Sequence, residues 1–312
     1  MPSSEMFSPG WVGCGKTALV VVDDSLGQGE GSPADSVVRE FTGNGGTDYL
    51  LEIVSGLGEG ALELEAMDRI MGEDGGPGER TGLYELAGSG EAGTLVLPSA
   101  SSAAIPLLER FALRHPQVLL CCEISSDRED AGLLRPLPNL ALLRGGSVDG
   151  QGAAALAGQL CARDFFPLRT PTSIERPGLG FCAVAGMEEN RLFSRSALRS
   201  LTSWRRWQGL YRSLDDGSRW AVFELASKAM ARRLERELRA FLHSLVIDGF
   251  LPFRNGFELE VKLQGSKLAG RDVPERRLSV EVRTSLDPGT GVSVERVINP
   301  SRSNLELEGT VA

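Results

Sequence analysis

The sequence has 312 residues, of which 41% are hydrophobic and 24% charged, and its formal net charge is -9. That length suits one large or two moderate domains with a sizeable core. The acidic balance argues against a dedicated nucleic-acid or anionic-membrane binder, since both require a basic face, and leaves room only for a local basic patch. No apolar run approaches the roughly 18–20 residues that span a bilayer. The opening residues Met1–Gly10 lack the charged start and apolar stretch of a secretory signal. The expectation is a protein made and kept in the cytoplasm, without membrane contact of its own.

Taken in order, the first 34 residues hold one strand candidate, Ala18-Leu19-Val20-Val21-Val22, flanked by Gly, Ser and Asp. A strand with no local partner is either an arm or an edge strand completed elsewhere. From Ser36 the pattern becomes denser. Val37–Phe41 reads as a short helix ending at Gly43–Gly46, and Tyr49–Val54 as a strand. Leu62–Met71 has helical apolar spacing. Thr94-Leu95-Val96-Leu97 reads as a strand stopped by Pro98, and Ala103–Arg114 as an amphipathic helix with Ile105, Leu108, Phe111 and Ala112 on one face. Strands at Val118–Ile124 and Leu140–Leu143, a helix at Ala153–Cys161 and a return to strand at Gly180–Val184 complete the stretch. Alternating strand and helix predicts an α/β layer with parallel pairing.

Beyond Arg195 the composition shifts. Trp204, Trp207, Tyr211 and Trp220 cluster there. Lys228–Val246 is the best helix in the chain, with Leu234, Leu238, Phe241, Leu242 and Leu245 on one face. Three period-2 stretches follow, at Phe257–Leu263, Leu278–Val282 and Val292–Val294, and predict half-buried antiparallel strands. The end carries Leu305-Glu306-Leu307-Glu308, a second free-strand candidate.

Two nucleotide motifs need their context checked. Gly10-Trp11-Val12-Gly13-Cys14-Gly15-Lys16-Thr17 matches GxxxxGK[ST] letter for letter. A P-loop is delivered by a strand and followed by a helix whose first amides face the phosphates. Here Phe7-Ser8-Pro9 precedes, and a β-branched run follows. Gly88-Ser89-Gly90-Glu91-Ala92-Gly93 matches GxGxxG but opens a strand instead of closing one. Both are expected to be loops.

Other chemistry is thin. The five cysteines (Cys14, Cys121, Cys122, Cys161, Cys182) form no CxxC pair and read as small apolar core residues in a reducing compartment. His115 and His243, the only histidines, lack ligand spacing from any cysteine and read as structural or surface groups. Asp215-Asp216 and Glu188-Glu189 are adjacent carboxylates whose side chains diverge. No catalytic residue, cofactor or metal site is predicted.

The ordered set of segments resembles the contractile tail sheath protein family. Val37-Val38-Arg39-Glu40-Phe41-Thr42-Gly43-Asn44-Gly45-Gly46 with Tyr49–Ile53 is similar to an early helix-glycine-strand unit of that family. Thr94–Pro98, the helix to Arg114 and Val118–Glu123 are similar to the next unit. Ser218-Arg219-Trp220-Ala221-Val222-Phe223-Glu224 is the most specific match, followed by the helix from Arg239-Ala240-Phe241-Leu242 to Asp248-Gly249. Arg277–Val282 and Val294–Ile298 resemble the last two strands, and Phe7-Ser8-Pro9-Gly10 a shortened start. Leu225-Ala226-Ser227 departs from the family's PND, and its central block is reduced to Ala157-Gly158 and Ala162-Arg163-Asp164.

The resemblance implies an α/β (α+β) fold: a mixed-sheet core domain at 35–200, a C-terminal helix-and-antiparallel-strand domain at 201–312, and an arm with linker at 1–34. It implies a subunit that polymerises around an inner tube by exchanging strands with neighbours and contracts to drive the tube. Its partners would be itself, the inner tube protein and baseplate and cap proteins. The implied strand donors are Ala18, Leu19, Val20, Val21 and Val22 at one end, and Val292, Val294, Val297, Leu305 and Leu307 at the other. Leu26–Pro33 would act as the hinge. Arg219, Trp220, Phe223, Glu224, Phe241 and Leu242 would form the core motif of the C-terminal domain. The short length leaves a second reading, a minor sheath-like cap or baseplate component. A third class, a P-loop nucleotide-binding protein, rests on Gly10–Thr17 alone.

Overall fold

The computed structural model describes residues 10–22, 32–55, 64–75, 78–125, 137, 139–144, 151–162, 183–184, 195–224, 227–251, 256–268, 271–287 and 290–298. The chain divides into two units, Cys14–Gln208 and Met1–Gly13 with Gly209–Ala312. The divisions between them fall at 13/14 and 208/209.

The first unit is an α/β layer structure. Its six-stranded sheet runs in the order β2-β1-β3-β4-β5-β6. The strands are β1 (Lys16–Val22), β2 (Tyr49–Val54), β3 (Ala92–Ser101), β4 (Leu119–Ser125), β5 (Leu140–Arg144) and β6 (Ala183–Val184). The first five are parallel, and β6 pairs antiparallel to β5. The crossovers between parallel strands carry α1 (Pro33–Gly43) between β1 and β2, α2 (Leu64–Met71) and α3 (Gly82–Gly88) between β2 and β3, and α4 (Ile105–Arg114) between β3 and β4, while α5 (Gln151–Cys161) follows β5.

Side chains alternate across the sheet, so each strand feeds two cores. Ala18 and Val20 of β1 join Leu95, Leu97, Leu120 and Cys122 in a cluster with Met67, Ile70, Leu83, Leu108 and Phe111 from α2, α3 and α4. Leu19 and Val21, buried as well, take the opposite face. There α1 packs on β1 and against α5. The alanine-rich α5 allows a close approach: a Cβ at Gly158 would collide with the Phe41 carbonyl oxygen of α1.

Local signals set the ends of these elements. The Ser32 hydroxyl accepts from the Asp35 amide, and Pro33 sits in the first turn of α1, where it forfeits no helical hydrogen bond. Asn44 closes α1 by donating to the Glu40 carbonyl, and Gly45 follows at φ +95°. One expectation fails here. Pro98 does not stop β3; the strand runs on to Ser101 through a register shift between Leu97 and Ala100. A bulge accommodates the missing amide, and the Cys122 thiol donates to the Pro98 carbonyl.

The second unit contains the later part of α6 (Arg195–Ser218), a 3-10 turn (Arg219–Phe223), α7 (Lys228–Ile247) and a three-stranded antiparallel sheet. That sheet runs β7-β8-β9, with β7 at Glu258–Leu268, β8 at Arg271–Asp287 and β9 at Thr290–Ile298. The predicted periodicity of α7 is its buried face: Met230, Leu234, Leu238, Phe241, Leu242 and Leu245. Ser227 caps it by accepting from the Met230 amide. Each buried leucine contributes on the order of 1.5–3 kcal/mol. Trp11 belongs to this unit; its ring lies 4.5 Å from that of Phe250 and against Gly209.

Candidate interaction surfaces

The P-loop letters do not build a phosphate cradle. Gly13 and Gly15 adopt φ of +74° and +87° in a turn, and Lys16 and Thr17 are the first residues of β1. A cradle needs free amides aimed at one point. Here the Val12 amide donates to Ser213 Oγ, the Lys16 amide to the Glu91 carbonyl and the Thr17 amide to the Asp48 carbonyl. Lys16 Nζ lies 3.6 Å from the Glu91 carboxylate, and Thr17 is buried. Three of the motif's amides are thus spent on the sheet and on Ser213, and a strand instead of a helix follows them. The second motif opens β3, as its sequence order predicts. A Cβ at Gly93 would collide with the Cys14 carbonyl, which explains the glycine where the β1–β3 register shifts.

The remaining candidates have structural surroundings. Burial pushes the Cys121 thiol up to about 12 and the Cys122 thiol higher still. Both stay protonated and unreactive at neutral pH. Cys14 is buried and Cys161 half-buried, while Cys182 lies outside the described residues. His115 caps α4, packed against Tyr84 and Phe111, and burial lowers its pKa against the pull of Asp74. His243 stands on the exposed side of α7, its ring 5.1 Å from Phe257. Among the described residues no group of three or more His, Cys, Asp or Glu is placed to hold a metal ion, and no helix is long and apolar enough to cross a membrane.

The expected strand donors separate into three cases. Ala18–Val22 is not a donor. It lies between β2 and β3 and is hydrogen-bonded on both sides within its own chain. The reason is visible in the burial: Ala18, Leu19, Val20 and Val21 are each at most 3% exposed, as a central parallel strand requires. Val292, Val294 and Val297 lie on β9, which pairs with β8 on one side and with no other strand among the described residues. Leu305 and Leu307 lie outside the described residues, as does most of the Leu26–Pro33 hinge.

The residues of the expected C-terminal core motif all fall in the second unit, in differing surroundings. Arg219 pairs with Asp215 and Asp216 at the end of α6, giving that adjacent carboxylate pair a helix-terminal role. Trp220 is nearly buried beneath the Arg233 guanidinium, 4.4 Å from its ring. Such a contact contributes about 0.5–1 kcal/mol when partly exposed. Phe241 and Leu242 are core residues of α7, Phe223 ends the 3-10 turn and Glu224 is exposed.

Two features carry surface information that the strand pattern alone did not. β2 is the other edge of the large sheet, and Tyr49, Leu51 and Ile53 are 37%, 41% and 52% exposed. They are register partners of Thr17, Leu19 and Val21, so all three share the α1 face, where the Tyr49 ring meets that of Phe41. Missed outright was α6. Its Arg205 donates to Thr94 Oγ1, and Gln208 donates to the Gly93 and Gln117 carbonyls, closing the starts of β3 and β4. The i, i+3 spacing of Trp204, Trp207 and Leu210 was the available signal.

No family model matches the sequence, and no curated protein matches it. Among solved structures, a chain of the "Cryo-EM structure of the anti-feeding prophage (AFP) baseplate, 6-fold symmetrised" is similar over 92% of this chain and 93% of its own length, at a TM-score of 0.59 and 11% identity. At that identity the likeness is one of fold, and it extends over both units described above.

Proposed function

We propose that this chain is a structural subunit of a contractile, tail-like injection particle, acting as a sheath-like component at the baseplate or cap end and not as the main sheath. The observation that carries this reading is the end-to-end likeness of fold to a chain of the anti-feeding prophage baseplate, with neither chain leaving more than a tenth of its length unmatched. The ordered resemblance to the tail sheath family supports the same machine. The reduced central block favours a specialised position over the repeating sheath. In this reading the protein has no enzymatic activity. Its partners are copies of itself in a ring, the inner tube and neighbouring baseplate or cap proteins, and it leaves the cytoplasm only as part of the particle.

Strand joining between subunits would use two of the four sheet edges. One is β9, with Val292, Val294 and Val297. The other is β2, with its apolar ledge of Tyr49, Leu51 and Ile53. Added strands join through main-chain hydrogen bonds, with apolar side chains giving specificity. The β1 strand takes no part.

The test is copy number. Particles are purified from producing cells through a tag on this chain, and its ratio to the tube protein is measured by quantitative mass spectrometry. The expected result is a fixed small number, one or two rings of six by analogy with the 6-fold baseplate. A number that grows with tail length would make it the main sheath. Absence from any particle would overturn the reading.

A further inference from the structure

We infer that the solvent face of α7 is a basic docking ridge, and that its occupant is the acidic α2–α3 region of a second copy of this chain. The inference rests on the ring reading above and gives it a specific contact.

The charge distribution is uneven. α7 carries five basic and two acidic side chains, a net +3 on a chain whose total is -9, so everything else sums to -12. Lys228, Arg232, Arg236, Arg239 and His243 are all exposed and recur at steps of 4, 4, 3 and 4, which places them on one face of the helix. Two neighbours are already engaged. Arg239 binds Glu235 at 2.8 Å, and Arg233 binds Glu237 at 2.9 Å while covering Trp220. Arg232 and Arg236, in the middle of the ridge, have no ion-pair partner among the described residues. Two unpaired guanidiniums flanked by further positive charge repel each other in the free subunit, and a facing carboxylate surface relieves that repulsion.

Leu64–Gly88, which contains α2 and α3, holds six acidic and two basic residues. One acid, Asp74, is consumed by Arg80 and Arg114. Glu65, Asp68, Glu73, Glu79 and Glu85 are exposed and form no ion pair among the described residues. A basic ridge in one unit and an acidic surface in the other give a single chain the complementary halves of a head-to-tail contact. Such a contact propagates from copy to copy and closes into a ring when the rotation allows. Nucleic acid is a poorer occupant, since the ridge is interrupted by Glu235 and the rest of the chain would repel a polyanion.

The experiment uses the full-length chain in assembled particles. A photo-cross-linking amino acid is placed at position 236, and the adducts are mapped by mass spectrometry. Expected is a covalent dimer of this chain whose cross-linked peptide falls within residues 64–88. An adduct to another protein, or no dimer, overturns the inference. In parallel, Arg232→Glu with Arg236→Glu should lower incorporation into particles by about tenfold or more, with the thermal unfolding midpoint unchanged because both sites are exposed. Co-expression with the Glu65→Lys, Asp68→Lys variant should restore mixed rings. Loss of incorporation without that rescue counts against the second-copy partner. If the wild-type chain is itself absent from particles, the functional reading fails. If it is present but the cross-link goes elsewhere, only this inference fails.

Discussion

His115 shows how a residue with a catalytic reputation can be structural. Its ring is wedged against Tyr84 and Phe111 at the end of α4, and its Nε2 is buried without a hydrogen-bond partner among the described residues. Burial lowers its pKa from 6.5. The unfolded chain therefore binds the proton more readily, and stability falls as pH drops below about 6.5 toward the folded value. A scan of the thermal midpoint from pH 8 to 5 is expected to show this decline, and His115→Phe, which keeps the ring packing, is expected to flatten it. The buried thiols lead to a related expectation. Iodoacetamide at pH 7.5 should label half-buried Cys161 in the native protein and leave Cys121 and Cys122 unmodified until unfolding. Lys16→Ala should change no nucleotide binding, measured by calorimetry, and cost under about 1 kcal/mol, the usual value of an exposed ion pair. At this scale the sequence was informative. Cys121 and Cys122 end an apolar run, and the P-loop letters precede a β-branched stretch, so their neighbours already named their roles.

At the scale of elements, legibility followed periodicity. The face of α7 was readable because five apolar positions repeat around one side. Leu238→Ala, at a fully buried site, is expected to cost about 2–5 kcal/mol in denaturant unfolding. By contrast, α6 has helical spacing of its tryptophans but also Gly209, two Asp and several Ser, which weaken local propensity, so its helix is imposed by packing. The misplacement of β1 has a different cause. A central parallel strand finds its partners through long connections, Thr17 with Tyr49 on one side and Thr94 on the other, so no local pattern reports them. Deleting residues 1–24 therefore removes a strand of the core. The truncated protein is expected to lose its cooperative thermal transition, which circular dichroism would detect; an arm would have been dispensable.

For the whole molecule, the alternation of strands and helices followed by period-2 segments made the α/β class and the added antiparallel sheet legible. What escaped was the path at the N-terminus. Chain order and spatial order differ there: Met1–Gly13 falls in one unit with Gly209–Ala312, while the next residues enter the other. That arrangement bears on biosynthesis. Trp11 leaves the ribosome well before Phe250, the ring it packs against, and β1 precedes both strands that flank it. Neither partner set exists when these residues first emerge. β1 gains both flanking strands once β3 has appeared, and the α/β unit is whole when Gln208 has emerged. The other unit must hold an exposed tryptophan in reserve until α7 is complete. A nascent chain stalled before Phe250 should thus present Trp11 to chaperones, so the interval between the two aromatics is a built-in delay between making the tryptophan and burying it.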